Sequence, residues 1–258
     1  MDLQLKGKTA LVSGSTAGIG LAIATALAAE GASVIVNGRT QKRVAAAVKQ
    51  SGAAHGVAAD LGTEAGARAV IERFPAVDIL VNNLGIFEPK PFEEISDADW
   101  RRFFEVNVLS GVRLSRHYLG GMKKQNWGRI VFISSESALQ IPVEMIHYGV
   151  TKTAQLSISR GLAETTAGTA VTVNAVLPGP TASEGVSGFV DQLAGAKGVD
   201  RATVEREFFK QGRPSSLLQR FATPEEVAAL VAFVCSPLAS AINGASLRVD
   251  GGVVRSIA

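Results

Sequence analysis

An apolar run that stops at a glycine turn and passes straight into an Ala- and Leu-rich stretch limits this chain more than any other feature. Lys8-Thr-Ala-Leu-Val-Ser13 reads as a short strand, Gly14-Ser-Thr-Ala-Gly18-Ile-Gly20 as the turn, and residues 21–30 as a helix. Strand, turn and helix in that order open a βαβ unit, whose crossover is right-handed and whose next strand is parallel. The alternation then repeats. Apolar runs at 33–36, 56–58, 77–81, 129–133, 171–176 and 246–249 are predicted strands with helical segments between them. Runs this uniformly apolar suit strands buried on both faces, and ligands of such sheets bind beyond the strands' carboxyl ends.

The expected fold class is therefore α/β, a Rossmann-type doubly wound parallel sheet with helices on both faces. A chain of 258 residues can bury a sizeable core in one domain or two small ones. No Pro/Gly/Ser linker, charge block, low-complexity tract or solenoid repeat divides it, so residues 1–258 are expected to form a single dinucleotide-binding and catalytic domain. The formal net charge of +3 comes from interspersed lysines and arginines, which gives no basic patch for nucleic acid. Cys235 is the lone cysteine, so an internal disulfide is excluded and a buried structural thiol expected. His55, His117 and His147 lack metal-ligand spacing, and no metal is expected. His147 adjoins Tyr148, but adjacent helical residues point in different directions, which favours a structural role. No stretch reaches membrane-spanning length and no signal-peptide layout is present, so the expectation is a cytoplasmic protein without membrane contact.

Tyr148 and Lys152 carry the most specific chemistry. In a helix over 147–165, positions i and i+4 share a face and bring an ammonium beside a phenol. A cation stabilises the phenolate and lowers a pKa that is otherwise about 10, making tyrosine a usable acid or base near neutrality. The pair by itself also suits an ordinary surface contact. Ser135, however, ends the apolar run from Arg129 and would project from a strand tip into the same crevice, where its hydroxyl can hold a substrate oxygen.

The glycine spacing is G-x-x-x-G-x-G, and no Gly-Lys-Ser/Thr follows, which argues against a P-loop and ATP hydrolysis. Glycines there let main-chain N–H groups and a helix N-terminus approach a pyrophosphate. The cofactor's identity turns on Asn37-Gly38-Arg39-Thr40 after the second strand. No acidic side chain is present to bond ribose hydroxyls and repel a 2′-phosphate, whereas Arg39 offers a guanidinium suited to that phosphate. NADP (NADPH) is favoured over NAD.

Together these segments resemble the short-chain dehydrogenase/reductase superfamily, in its single-domain branch with a Tyr-x-x-x-Lys active site. The resemblance covers nearly the whole chain. It rests on Ser13-Gly-Ser-Thr-Ala-Gly-Ile-Gly20, Asp60-Leu61, Asn82-Asn-Leu-Gly85, Asn107, Ser134-Ser135, Tyr148-x-x-x-Lys152 and Pro178-Gly179, with Ser135 and Tyr148 at the family's usual separation of 13 (148 − 135). It implies a catalytic set of Asn107, Ser135, Tyr148 and Lys152. It implies cofactor contacts at Gly14, Ser15, Thr16, Gly18, Ile19, Gly20, Arg39, Asp60, Leu61, Asn83 and Gly85, and again at Tyr148, Lys152, Pro178, Gly179, Thr181 and Ser183. Within that set Asp60 would accept from adenine, or else cap a helix, and Thr181 or Ser183 would face the nicotinamide carboxamide. Asn107 would hold a water linking Lys152 to solvent. Leu84 replaces the family's usual alanine and could crowd the adenosine side, and Pro180 should stiffen its turn.

The implied reaction is hydride transfer between NADP(H) and a carbonyl or secondary alcohol, with a non-catalytic dinucleotide-sensing protein as the alternative. A small-molecule substrate is expected, with residues 184–218 as a mobile lid. Phe189, Leu193, Phe208 and Phe209 could line an apolar pocket, Lys197, Arg201, Lys210 and Arg213 could greet an anion, and Ser137, Leu139, Gln140 and Glu144 could shape the rest. The helices expected near 99–123 and 147–166 carry apolar residues on more than one face, which one sheet cannot cover. By resemblance they pair with symmetry mates, giving a homotetramer or homodimer.

Overall fold

The structure is a computed structural model that describes residues 1–257; within it, the side chains of residues 185, 189, 192, 193, 196 and 197 lie outside the described set. β-branched runs form seven parallel strands: β1 (Thr9–Val12), β2 (Ser33–Gly38), β3 (His55–Ala58), β4 (Ile79–Asn82), β5 (Gly128–Ile133), β6 (Val171–Pro178) and β7 (Ser246–Val249). They lie in the order β3-β2-β1-β4-β5-β6-β7, so the chain reverses its direction of growth between β1 and β4. That reversal opens a crevice at the carboxyl ends of β1 and β4, where ligands of such sheets bind.

Helices cover both faces. On one face α1 (Gly18–Ala29), α2 (Gln41–Ser51) and α9 (Pro224–Val234) bury Ile23, Leu27, Ala47, Val227 and Val231 against Val12, Val34, Val36 and Val81. On the other, α3 (Glu64–Arg73), α5 (Ser110–Lys124) and α6 (Ile146–Glu164) bury Val70, Leu114, Tyr118 and Ala163 against Leu11, Leu80, Ile130 and Phe132. The residues that alternate along β1, Val12 and Leu11, thus enter opposite cores, as the two-residue period of a strand requires. Cys235 is fully buried as the C-cap of α9, where burial pushes its thiol up to about 12. No described helix is long and apolar enough to cross a membrane.

The long helix expected near 99–123 is interrupted. It runs as α4 (Asp97–Phe104), a π-helical turn (Glu105–Leu109) and then α5, with a complete Ser96/Asp99 capping box at its start. The segment after β6 holds α7 (Glu184–Lys197), capped by Ser183, and α8 (Arg201–Glu207), capped by Asp200, followed by a second π turn (Phe208–Gly212).

His147 is a structural residue with a cost. Its ring is fully buried, lies 3.9 Å from the Phe103 ring centroid and has neither nitrogen hydrogen-bonded. Burial lowers its pKa, with Arg102 and Lys90 acting the same way and Asp99 and Glu88 opposing them. A folded pKa below the unfolded value means the native state binds protons less readily, so stability falls as pH drops below about 6.5, the unfolded value. Replacing His147 with Leu should remove this sensitivity. Between pH 7.5 and 5.5 the Tm of the variant should gain about 2 °C on that of the unsubstituted protein, a shift of the size that a fraction of a kcal/mol produces in a chain this long. A constant Tm difference across that range would count against the buried neutral ring.

Candidate active site

The crevice is assembled from main-chain turns that polar side chains pin. Ser13 Oγ donates to Val81 O and accepts from the amides of Asn83 (2.9 Å) and Leu84 (3.0 Å), fastening the end of β1 to the end of β4. Asn83 Nδ2 returns bonds to Ser13 O and Gly14 O, both at 3.0 Å. Asn37, buried at the end of β2, accepts from Gly14 N and donates to Val57 O and Ala59 O. The glycine turn is therefore rigid before any ligand arrives.

The turn's shape suits a dinucleotide. Gly14 and Gly18 adopt φ of +59° and +53°, the left-handed region that favours glycine. A Cβ at Gly20 would fall 2.4 Å from Asn83 Nδ2 and 2.6 Å from Gly14 O, so that surface is bare backbone by necessity. α1 begins here with Ala17 as N-cap, no side-chain cap and no acidic residue in its first turn. Its first N–H groups and the positive end of its dipole face the crevice and fit a pyrophosphate. Ser15 is fully buried and spends its hydroxyl on Val12 O, while a Cβ at Gly38 would lie 2.4 Å from Thr16 Cγ2. Arg39 is exposed at the tip of β2. Leu84 lies against the turn, its Cδ1 3.3 Å from a Cβ built at Gly14.

Two sequence expectations change here. Asp60 does not cap α3; Thr63 does, and Asp60 Oδ1 instead accepts from Gly62 N within the preceding turn. Leu61 is buried in the core below the sheet, so only its main chain could meet a cofactor.

One cavity of about 790 Å³ gathers the central and nicotinamide-side expectations, whereas Gly14, Ser15, Thr16, Gly18, Gly20, Arg39, Asp60, Leu61 and Asn107 do not line it. Its wall includes Ile19, Asn83 and Gly85 from the nucleotide side, Ser135, Tyr148 and Lys152 from the centre, and Pro178, Gly179, Thr181 and Ser183 beyond β6. A volume in this range admits a cofactor's reactive end with a small substrate. Gly179 packs under Asp250, whose carbonyl oxygen a Cβ would meet at 2.4 Å; Thr181 Oγ1 donates to Gly179 O, and Ser183 caps α7.

At the centre, Lys152 is buried and its Nζ donates to Ile133 O at 2.8 Å and to Gln155 Oε1 at 3.3 Å. It stands 5.6 Å from the centroid of the half-buried Tyr148 ring. Burial lowers the lysine to about 7. Burial also raises Tyr148, as does Glu136, against the opposing effects of a Ser135 hydrogen bond and Arg213. The lowering of the phenol expected from Lys152 is thus not the dominant effect. Desolvation wins, and the phenol keeps its proton, the form needed to protonate an oxygen.

Asn107 sits in the π turn, a distortion frequent at functional sites. Its side chain pairs with the main chain of Ile86 and donates to Thr151 Oγ1 at 3.0 Å. Its carbonyl, freed by the irregular turn, accepts from Gln155 Nε2 at 2.6 Å. Gln155 therefore bridges Asn107 and Lys152, the place where resemblance puts a water. The sequence reading passed over it, since an amide three residues beyond a lysine looks like any helical glutamine.

Glu136 was also missed. It is buried beside Ser135, whose Oγ donates to its Oε2 at 2.5 Å, and Arg213 Nε donates to its Oε1 at 3.0 Å. Ser135 must turn its hydroxyl away from Glu136 to donate to a substrate. Other substrate-side expectations divide. Ser137, Glu144, Phe208 and Arg213 line the cavity, whereas Leu139, Gln140, Arg201 and Lys210 do not. Phe209 is buried between Phe208 and Phe221, and Arg201 pairs with Asp191. The side chains of Phe189, Leu193 and Lys197 lie outside the described residues.

Comparison with known proteins matches this architecture. A family model described as Enoyl-(Acyl carrier protein) reductase fits residues 14–254. The chain is 52% identical, over 100% of both chains, to Uncharacterized oxidoreductase YvaG of Bacillus subtilis. It is 38% identical to 3-oxoacyl-[acyl-carrier-protein] reductase FabG of Aquifex aeolicus, over 98% of this chain and 100% of that one. L-sorbose reductase from Gluconobacter frateurii, solved with NADPH and L-sorbose, superposes with a TM-score of 0.93 at 32% identity over 100% of each chain. Full-length identity, the parallel sheet and the glycine turn agree: the chain belongs to the short-chain dehydrogenase/reductase family and is an NAD(P)-dependent oxidoreductase acting on CH–OH and C=O groups.

Proposed function

We propose that this protein uses NADPH to reduce the carbonyl of a small molecule, and can run the reverse oxidation. The convergence of Ser135, Tyr148 and Lys152 on one cavity with Ile19 of the glycine turn and with Asn83 and Gly85 carries the reading. When bound, the cofactor supplies the hydride. Ser135 and Tyr148 hold the carbonyl oxygen, meeting the charge that grows there with oriented donors. Tyr148, kept protonated by its surroundings, gives up its proton to that oxygen. Lys152 holds the ribose hydroxyls and supports the phenolate left behind, while Gln155 and Asn107 fix the lysine's position. The test is NADPH oxidation, followed at 340 nm, with a panel of ketones and aldehydes.

The glycine turn, the main chain of Asp60 and Leu61, and the Pro178 to Ser183 segment hold the dinucleotide in this reading, with residues 1–258 acting as one domain. Residues 184–218 serve as a lid, since Val186, Val190, Val204, Phe208 and Arg213 already form one wall of the cavity. Action in the cytoplasm is part of this reading.

NADP preference rests on Arg39 and on the absence of a carboxylate at Gly38, where Thr16 also leaves little room for one. Arg39→Ala should raise the Kd for NADPH at least about tenfold, the loss of one charge-assisted contact, and leave that for NADH within about twofold. Equal losses would assign Arg39 no part in the choice.

Assembly through α4, α5 and α6 is part of the proposal. Phe104, Leu109 and Val150 remain more than a third exposed there, while Phe103 and Leu114 turn into the core. Light scattering after size exclusion should give two or four times the 26.8 kDa of one chain. A monomer at micromolar concentration would contradict it.

A further inference from the structure

Ser135 directs its hydroxyl hydrogen at the wrong partner for carbonyl reduction. Its Oγ donates to Glu136 Oε2 at 2.5 Å, although the proposed reaction needs that donor at a substrate oxygen. The oxygen itself is held, because the Ser137 amide donates to it at 3.1 Å just beyond the end of β5. Only the hydrogen has to swing. Its freedom to do so depends on what it leaves behind, since a buried polar atom stripped of its partner is penalised more than an average hydrogen bond stabilises.

The surroundings of Glu136 meet that need. The side chain is buried, and Oε2 takes two further bonds, from the Ser137 amide at 2.8 Å and the Ser137 hydroxyl at 3.0 Å. Oε1 forms an ion pair with Arg213 Nε at 3.0 Å. Arg213 is buried as well. Its Nη1 donates to Gly212 O at 2.8 Å and to Glu144 Oε1 at 3.4 Å, and its amide donates to Phe208 O at 3.0 Å, closing the second π turn. Both oxygens of Glu136 therefore stay bonded when Ser135 turns its hydrogen away.

We propose that Glu136 is a positioning residue for Ser135, and that Arg213 and Ser137, by keeping Glu136 bonded, free the Ser135 hydroxyl for the substrate oxygen. The proposal rests on the reading of this cavity as a carbonyl-reducing site and states how its serine is controlled. Arg213 lies within residues 184–218, so that end of the segment must be docked on Glu136 for Ser135 to donate. Without the guanidinium, Glu136 leans on its remaining donors and keeps the Ser135 hydrogen. The site then loses one of the two donors that meet the charge growing on oxygen, while the cofactor's contacts are untouched.

The test is a double-mutant cycle read in single turnovers, with protein in excess of NADPH so that slow variants stay measurable, and with a ketone that the protein reduces. Arg213→Met should lower the rate at least about tenfold, the size of effect expected when a buried acceptor is left short of a donor. In a Ser135→Ala background the same substitution should change the rate less than about twofold, because the residue it acts through is gone. Ser137→Ala removes a hydroxyl whose bond goes to Glu136, and it carries the test should Arg213→Met fail to fold. It should slow turnover about threefold with Ser135 present and leave the Ser135→Ala rate unchanged. The Kd for NADPH should stay within about twofold in every variant. Equal losses in both backgrounds, or no loss in either, would overturn the proposal and leave the oxidoreductase reading intact. Protein that binds NADPH yet reduces nothing in the ketone and aldehyde panel would overturn the function on which the proposal stands.

Discussion

Tyr148→Phe should lower the rate of NADPH-dependent carbonyl reduction at least about a hundredfold while the Kd for NADPH stays within about twofold, in line with what a positioned general acid contributes. The substitution removes one oxygen from a ring that stays in place against Phe87, 6.4 Å away between centroids. Folding should therefore be unaffected, with Tm near neutral pH close to that of the unsubstituted protein, because the phenol is protonated there in both the folded and the unfolded chain. Both kcat and kcat/KM should fall together, since the donor acts on charge that exists only in the transition state. Steady-state kinetics beside a fluorescence titration of NADPH separate the two effects. Turnover that survives the substitution would remove Tyr148 from the mechanism.

Lys152→Met should be at least as damaging, and in a different way. Met keeps most of the buried volume but loses the bonds to Ile133 O and Gln155 Oε1 and any hold on ribose hydroxyls. Activity should again fall at least about a hundredfold, because the phenolate formed at Tyr148 would have no cation to support it. NADPH affinity should fall as well, by about tenfold, where Tyr148→Phe leaves it alone. The contrast between the two titrations is the diagnostic measurement. A Lys152→Met protein that binds NADPH like the unsubstituted chain would confine the lysine to electrostatics.

Much of this arrangement was legible before any coordinates, and for definite reasons. All seven strands lie where apolar runs place them; the five inner ones, β1, β2, β4, β5 and β6, are buried and so leave a plain apolar signature, while the edge strands β3 and β7 stay partly exposed. The glycine turn was legible because no side chain fits at Gly20. The π turn at Glu105–Leu109 was not, since one extra residue in a helical turn barely disturbs a hydrophobic repeat. α7 and α8 were not foreseen within the expected lid of residues 184–218, although Ser183 and Asp200 are both N-cap residues followed by helix formers. Glycines at 185, 188, 195 and 198 outweighed them, and only Gly198 ends a helix, at φ +64°.

The site itself divided along the same line. Ser135, Tyr148 and Lys152 announce themselves through spacing, because local periodicity fixes which residues share a helix face. Glu136, Arg213 and Gln155 do not. Glu136 meets Arg213 across 77 positions of sequence, and Gln155 meets the Asn107 carbonyl across 48. Long-range polar pairs are decided by tertiary packing, which no window of neighbouring residues records. The rise in the Tyr148 pKa was hidden for a related reason: the ammonium's place in sequence is visible, but the desolvation of the phenol is not.

The central claim is direct hydride transfer from NADPH to a carbonyl carbon, with the proton at oxygen coming through Tyr148. NADPH carrying deuterium at both C4 positions, supplied with a carbonyl compound that the protein reduces, tests it in one experiment. Mass spectrometry of the alcohol should find one deuterium, bonded to the former carbonyl carbon, for each NADPH oxidised, and the Tyr148→Phe protein should form this product at least about a hundredfold more slowly. Alcohol without deuterium, or NADPH oxidised with no alcohol formed, would contradict the account.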